Sequence, residues 1–138
     1  MKSGYCFFIV LVLTGISITS CSLFNNNDLN GELVGEWEQV AQKIGGEQVP
    51  LDSLNMSKQT LRFDAAGGYA EFRADTLHDS GRYFIFERRG NELLGIESDR
   101  NKREMEFTFT FLSKNRLRLM FICPNCSVIP LIYERTSR

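Results

Sequence analysis

The stretch Glu104-Met105-Glu106-Phe107-Thr108-Phe109-Thr110-Phe111-Leu112 decides the fold class of this chain. Glu or Thr alternates with Met or Phe from Glu104 to Phe111. This is the pattern of a β-strand, because successive strand side chains point to opposite faces of a sheet. We therefore expect a strand whose Met and Phe side chains enter a core and whose Glu and Thr side chains face water.

Segments with a similar but weaker pattern lie on both sides of this strand, and turn-forming residues separate them. One such turn is assigned to His78-Asp79-Ser80-Gly81. Residues 47–58 are less regular, and Asp52 is predicted to cap a short helical turn there. Strands are predicted over residues 33–43, 59–64, 69–75, 82–88, 92–97, 104–112, 116–121 and 128–135.

Hairpin-length connections between these strands imply antiparallel neighbours in a meander. A meander of about eight strands removes its exposed edges by closing on itself. The sequence therefore predicts an all-β fold, an antiparallel up-and-down β-barrel of about eight strands, with a two-sheet β-sandwich as the alternative. A barrel of this size is just wide enough to be filled by side chains or to hold one small ligand.

Composition and charge limit the function further. The chain has 138 residues with 11 Phe and 3 Pro, which fits one small β-rich domain. The formal net charge is −1. The chain therefore lacks the excess of basic residues that is typical of nucleic-acid-binding proteins, and no nucleic-acid partner is predicted. We expect a leader over residues 1–20, a flexible Asn-rich tether over 21–31 and the barrel domain over 32–138.

The leader has the layout of an export signal: Lys2 is its only charge, and an apolar run extends to Ile18. Ile18-Thr19-Ser20-Cys21 resembles the lipobox of bacterial lipoprotein signal peptides. The resemblance implies that Cys21 becomes the first mature residue and carries acyl chains such as palmitate. An ordinary signal peptide or a membrane anchor is the alternative.

Two features after Cys21 bear on the location within a bacterial cell envelope. No Asp follows Cys21 directly, which by similarity to proteobacterial sorting rules implies the outer membrane rather than the inner one. No acidic run follows either, which favours the periplasmic side over the cell surface. Two or more acyl chains make anchoring stable, since each buried methylene contributes about 0.8 kcal/mol.

Cys123-Pro124-Asn125-Cys126 has the residues of a tight turn between the last two strands. The ends of such a turn lie within the reach of a disulfide bond, and an extracytoplasmic location permits oxidation. A reduced or metal-binding pair is the first alternative. Redox catalysis is the second, although it requires a helix after the first cysteine, and the residues that follow are predicted to form a strand.

Leu33-Val34-Gly35-Glu36-Trp37 resembles the Gly-x-Trp signature that opens the first strand of lipocalins, and Tyr133-Glu134-Arg135 resembles their closing strand. Together they are similar to the lipocalin-like lipoproteins of Bacteroidetes. The resemblance implies that Gly35, Trp37 and Arg135 close the barrel, with Arg135 stacked on Trp37 as a cation–π pair worth about 0.5–2 kcal/mol. The chain departs from the family in its shorter domain, in having no predicted long helix before its end, and in having Ser113-Lys114-Asn115 where lipocalins carry a Thr-Asp-Tyr-type motif.

The predicted barrel interior consists of bulky apolar side chains that either line a pocket or fill the core completely. The candidate ligand-lining residues are Phe63, Phe72, Tyr83, Phe107, Phe109, Phe111, Leu119 and Phe121. With the resemblance, they predict a lipid-anchored envelope protein that binds a small apolar or amphipathic ligand. The alternative is a filled barrel that acts as an interaction or accessory module through its loops.

No catalytic residue, metal site or cofactor is predicted. His78, Asp79 and Ser80 are the residue types of a catalytic triad, but consecutive turn residues cannot converge on one reacting atom. We expect them to form a solvated loop. His78 is also the single His in the sequence, and too few ligands accompany it for a zinc site. The sequence therefore predicts a binding protein rather than an enzyme.

Overall fold

Short strands dominate the computed structural model, which describes residues 31–137. The predicted leader, Cys21 and most of the tether lie outside these residues, as does Arg138. Within the described range there are nine strands and one 3-10 helical turn, at Leu51–Leu54. The strands are β1 (Gly35–Ile44), β2 (Glu47–Pro50), β3 (Gln59–Phe63), β4 (Gly68–Arg73), β5 (Thr76–Arg88), β6 (Asn91–Ser98), β7 (Glu104–Ser113), β8 (Arg116–Phe121) and β9 (Leu131–Ser137).

Eight of these strands form a closed antiparallel barrel, so the predicted up-and-down barrel is confirmed and the sandwich alternative is not. The order runs from β1 through β3 to β9 in sequence, and β9 pairs back with β1. Trp37 is opposite Arg135, and Gln39 is opposite Tyr133, at this closing seam. β2 stands outside the ring, because it pairs only with residues 41–44 at the end of β1.

The turn assigned to His78-Asp79-Ser80-Gly81 is wrong. These residues lie inside β5, where Asp79, Ser80 and Gly81 pair with β4 and Asp79 is opposite Glu71. The chain reverses earlier, at Ala74 and Asp75, whose φ angles are 47° and 62°. Two consecutive left-handed residues make the tight hairpin turn that matches strand twist, and Asp tolerates this conformation better than most residues. The signal was weak because neither residue is Gly.

Two smaller predictions also differ from the structure. Asp52 does not cap the helical turn: Pro50 occupies the N-cap position, and no side chain caps this end. The last strand begins at Leu131 rather than at residue 128. Pro130 immediately precedes β9, and it has no N–H for a strand ladder, although its carbonyl oxygen accepts a hydrogen bond from Lys43 N at 2.9 Å.

The inner faces of the strands form one continuous apolar core. β7 behaves as its alternation predicts: Phe107, Phe109 and Phe111 pack against the core, whereas Glu106 on the outer face pairs with Arg88 at 2.7 Å. The buried members of the core are Leu33, Trp37, Leu61, Phe63, Tyr69, Tyr83, Leu94, Ile96, Leu117, Leu119 and Tyr133. No helix among residues 31–137 is long and apolar enough to cross a membrane.

Candidate ligand-binding site

One end of the barrel is sealed around Trp37, which is completely buried. Its indole N–H donates to the Leu33 carbonyl oxygen at 2.8 Å, and the Arg135 guanidinium lies 4.2 Å from its ring centroid. Arg135 also donates to the carbonyl oxygens of Val34, at 2.6 Å, and Glu32. These contacts join the start of β1 to the end of β9. They also enclose the Trp37 ring completely, so Trp37 is not a ligand contact.

Gly35 opens β1 with a φ of 135°, a region that side-chain-bearing residues rarely adopt. It is opposite Phe63, the last residue of β3. Phe63 in turn packs against Tyr83, with 4.9 Å between ring centroids. Aromatic side chains therefore pack in the barrel interior behind Gly35.

A cavity of about 250 Å³ lies toward the other end. It reaches the surface beside Phe121 and Ile129, which are 41% and 46% exposed. Most of its wall is apolar, and its polar lining residues come from β3, β4 and β9. The lining residues are Gln59, Leu61, Tyr69, Glu71, Ile96, Met105, Phe107, Leu119, Phe121, Ile129, Leu131 and Tyr133.

The structure separates the candidate ligand-lining residues into three groups. Phe107, Leu119 and Phe121 line the cavity. The remaining inward-facing candidates do not line it and instead pack in the core; they are Phe63, Tyr83, Phe109 and Phe111. The prediction that Phe72 lies in the barrel interior is wrong.

Phe72 lies on the outer face of β4, where the Arg62 guanidinium is 4.9 Å from its ring centroid. Tyr69 and Glu71, on the opposite face of the same strand, are both buried. Pairing sets this choice, because Tyr69 is opposite Phe63 and Glu71 is opposite Leu61. In an antiparallel pair, opposite residues share a face.

Glu71 is a buried cavity-lining residue that sequence reasoning missed. Its side chain is only 9% exposed. It accepts a hydrogen bond from the Tyr69 hydroxyl at 3.1 Å and one from Arg73 Nε at 2.7 Å. The signal in the sequence was the spacing Tyr69-Ala70-Glu71, which puts the carboxylate on the same face as a large aromatic ring.

The other polar lining residues are paired with each other. The Tyr133 hydroxyl on β9 donates to Gln59 Oε1 on β3 at 2.7 Å. Burial raises the pKa of Tyr133 well above its usual range, and the charge of Glu71 raises it further. Burial likewise raises the pKa of Tyr69, and Glu71 and Asp79 add to that effect. Both phenols are therefore neutral hydroxyl groups at physiological pH.

Alkaline pH should destabilise the barrel, because three of its tyrosines are buried as neutral phenols. Burial raises the pKa of Tyr83 from 10 to about 12, and its hydroxyl donates to the Asp64 carbonyl oxygen at 2.7 Å. An unfolded tyrosine releases its proton near pH 10 while the folded one retains it. These tyrosines therefore do not change the free energy of unfolding below about pH 10, and they lower it as the pH rises from 10 through 12.

Denaturant unfolding at successive pH values, followed by phenolate absorbance, measures this dependence. Tyr83→Phe should make the fall between pH 10 and 12 shallower, because one of the three buried phenols is gone. Phenolate formation near pH 10 at Tyr69, Tyr83 or Tyr133 in the folded protein would contradict the prediction.

The loop from β8 to β9 flanks the cavity and contains the predicted disulfide. Cys123 and Cys126 are bonded, with 5.6 Å between their Cα atoms. Phe121 before this loop and Ile129 within it both line the cavity. Closing so short a loop is worth about 2 kcal/mol on the chain-entropy model. The disulfide therefore limits the conformations of the segment at the cavity mouth.

His78 and Asp79 have separate surroundings on β5. Arg100 Nη1 lies 3.1 Å from His78 Nδ1 and donates to the His78 carbonyl oxygen at 3.0 Å. Asp79 is buried, on the same side of the sheet as Glu71. The two side chains therefore do not form a catalytic pair. Within residues 31–137, no group of three or more His, Cys, Asp or Glu residues is arranged to bind a metal ion.

Comparison with known proteins identifies no family for this chain. No protein-family model and no curated protein matches the chain. Among solved structures it is similar to apo lipid binding protein 8 of Caenorhabditis elegans, at 11% identity and a TM-score of 0.43. That match covers 75% of this chain and 95% of the other. The fold and the cavity define the class: a small closed antiparallel barrel with a pocket that has an apolar wall and a polar side.

Proposed function

We propose that this chain is a lipid-anchored protein of the bacterial cell envelope that binds one small amphipathic molecule inside its barrel. The observation that supports binding is the cavity of about 250 Å³, with an apolar wall and polar groups on one side. Pockets for small molecules combine an apolar surface, which supplies binding free energy, with a few placed polar groups that orient the ligand.

The size of the cavity limits the ligand. At roughly 30 Å³ for each water-sized group, about 250 Å³ accommodates roughly eight non-hydrogen atoms. Apolar contacts with side chains such as Met105, Phe107 and Leu131 stabilise an alkyl or small aromatic group by about 25 cal/mol for each Å² removed from water. The polar side, at Gln59, Glu71 and Tyr133, hydrogen-bonds its head group. The proposed ligand is therefore short and carries one polar end.

Filling the cavity should abolish binding, and two methionines allow a matched test. Met105 lines the cavity from β7, whereas Met120 lies on β8 outside the cavity lining and is 38% exposed. We expect 1-octanol to bind the unmodified barrel and Met120→Trp with equal affinity, measured by calorimetry. Met105→Trp should lose this binding, because an indole occupies the space that the alkyl chain needs.

Two results would contradict the binding proposal. The first is no 1-octanol binding to the unmodified barrel, which would favour a filled barrel acting through its loops. The second is equal binding to both methionine variants, since the alcohol would then bind elsewhere.

The envelope location is supported by the lipobox-like residues that end at Cys21. Cys21→Ala should move the protein from the membrane fraction to the soluble fraction, because the thiol that receives the acyl chains is gone. Cys6→Ala is the matched control, since it removes a thiol from the leader without altering the lipobox. Cell fractionation and mass spectrometry measure both variants. A cleaved Cys21→Ala protein that stays on the membrane would contradict the anchor.

A further inference from the structure

The polar side of the cavity has more negative than positive charge. Glu71 is the charged residue of the lining, and Asp79 lies beside it on the neighbouring strand, directly opposite in the register. Both are buried, since each residue as a whole, backbone included, is 7% exposed. The positive partner is Arg73, which pairs with Glu71 but has a side chain that is 54% exposed. Solvent screens an exposed charge more than a buried one, so the electrostatic potential inside the cavity is negative.

Hydrogen-bond capacity points in the same direction. The hydroxyl hydrogens of Tyr69 and Tyr133 are already used, by Glu71 and Gln59. Their oxygen lone pairs and the unused lone pairs of the Glu71 carboxylate remain as acceptors. The amide NH₂ of Gln59 contributes neutral donors. A ligand that enters this site therefore meets mainly acceptors and negative charge, which favour a head group that donates hydrogen bonds.

We propose that the cavity selects short amphiphiles with a cationic, hydrogen-donating head group, such as a primary ammonium, and rejects carboxylates. This inference rests on the proposed function, because it specifies the ligand of the same cavity. An ammonium group has three donors and a positive charge, which match the Glu71 carboxylate and the phenol oxygens. A carboxylate has only acceptors, and it would be desolvated next to Glu71 and Asp79 without a buried cation to pair with it.

The selectivity is tested with three eight-carbon probes. Two of them carry the same octyl chain, and in the third the carboxylate carbon takes the place of one methylene. The protein is the full chain carrying Cys21→Ala in detergent-free buffer at neutral pH, and the probes are octylammonium, 1-octanol and octanoate. We expect octylammonium to bind about tenfold tighter than 1-octanol, a ratio equal to about 1.4 kcal/mol. Octanoate should bind more weakly than 1-octanol. Calorimetry measures all three affinities.

Two carboxylate variants assign the preference to the cavity. Glu71→Gln should reduce the ratio of octylammonium to 1-octanol affinity to near one. Glu97→Gln is the matched control, because its carboxylate pairs with Arg82 at 2.7 Å and is 46% exposed on the outer surface. This variant should keep the tenfold ratio. If Glu71→Gln does not fold, Asp79→Asn replaces it and should lower the ratio in the same direction.

The outcomes separate this inference from the proposed function. If 1-octanol binds but octylammonium binds no tighter, or octanoate binds tightest, the selectivity is overturned and the binding barrel stands. If none of the three probes binds the unmodified cavity, both proposals fail. A preference that survives Glu71→Gln unchanged would also overturn the assignment of selectivity to this carboxylate.

Discussion

Replacing Trp37 with Ala should lower the free energy of unfolding by about 3–5 kcal/mol, the usual cost of removing a large buried aromatic side chain. Trp37 has no exposed surface, packs against Phe111 at 6.1 Å between ring centroids and supports the stacked Arg135. The substitution leaves a void at the sealed end and an arginine without the ring beneath it. Chemical denaturation of the two proteins measures the difference.

Ligand binding should respond differently from stability in this variant. The cavity lies toward the other end of the barrel, and Trp37 is not among its lining residues. Folded Trp37→Ala should therefore bind 1-octanol with nearly unchanged affinity. Phe121→Ala is the control for loss of an aromatic ring: at 41% exposure it should cost less stability, yet it should weaken binding because it lines the cavity. Native stability of Trp37→Ala would refute the closure role.

Adding a single methyl group at Gly81 should lower the free energy of unfolding by about 1–3 kcal/mol, the usual cost of overpacking. A Cβ atom at this position would lie 1.9 Å from the carbonyl oxygen of Glu97 on the neighbouring strand. That contact is with backbone, so no side-chain rotation relieves it, and β5 must move away from β6. Denaturant unfolding of Gly81→Ala measures the cost.

Gly95→Ala is the control that tests whether the clash with backbone causes the loss of stability in Gly81→Ala. Its added Cβ would lie 2.4 Å from ring atoms of Phe84, on the outer face of the barrel. A half-buried ring can change its rotamer more cheaply than a strand can move, so Gly95→Ala should cost less than Gly81→Ala. Equal costs for the two variants, or no cost at Gly81, would show that the strands accommodate the methyl group.

The strands themselves were predictable from the sequence, because alternation of apolar and polar residues is a local property. β7 is the clearest case: residues 104–112 were predicted, and the strand runs from Glu104 to Ser113. The turn at Ala74 and Asp75 was missed because its residues are not those that usually mark a hairpin. The four residues after Leu77 were then misassigned to a loop.

The inner face of β4 was not predictable in the same way. One face carries Tyr69 and Glu71, and the other carries Ala70 and Phe72. Apolarity alone favours the second face, but the structure buries the first. The cavity therefore contains a carboxylate where the sequence predicted a phenyl ring, and this one difference changes the chemistry of the proposed ligand.

Strand content and turn spacing thus follow from local patterns, since each depends on residues close together in the chain. Closure into one barrel was predicted from the number of strands, although it joins β1 to β9 at opposite ends of the domain. The register between β3 and β4, and the side of β4 that faces the cavity, depend on partners brought together only by folding. A shift of one residue in pairing exchanges the two faces of a strand. In this barrel Phe63 packs against Tyr69, with 5.8 Å between ring centroids, and that pairing directs Glu71 inward.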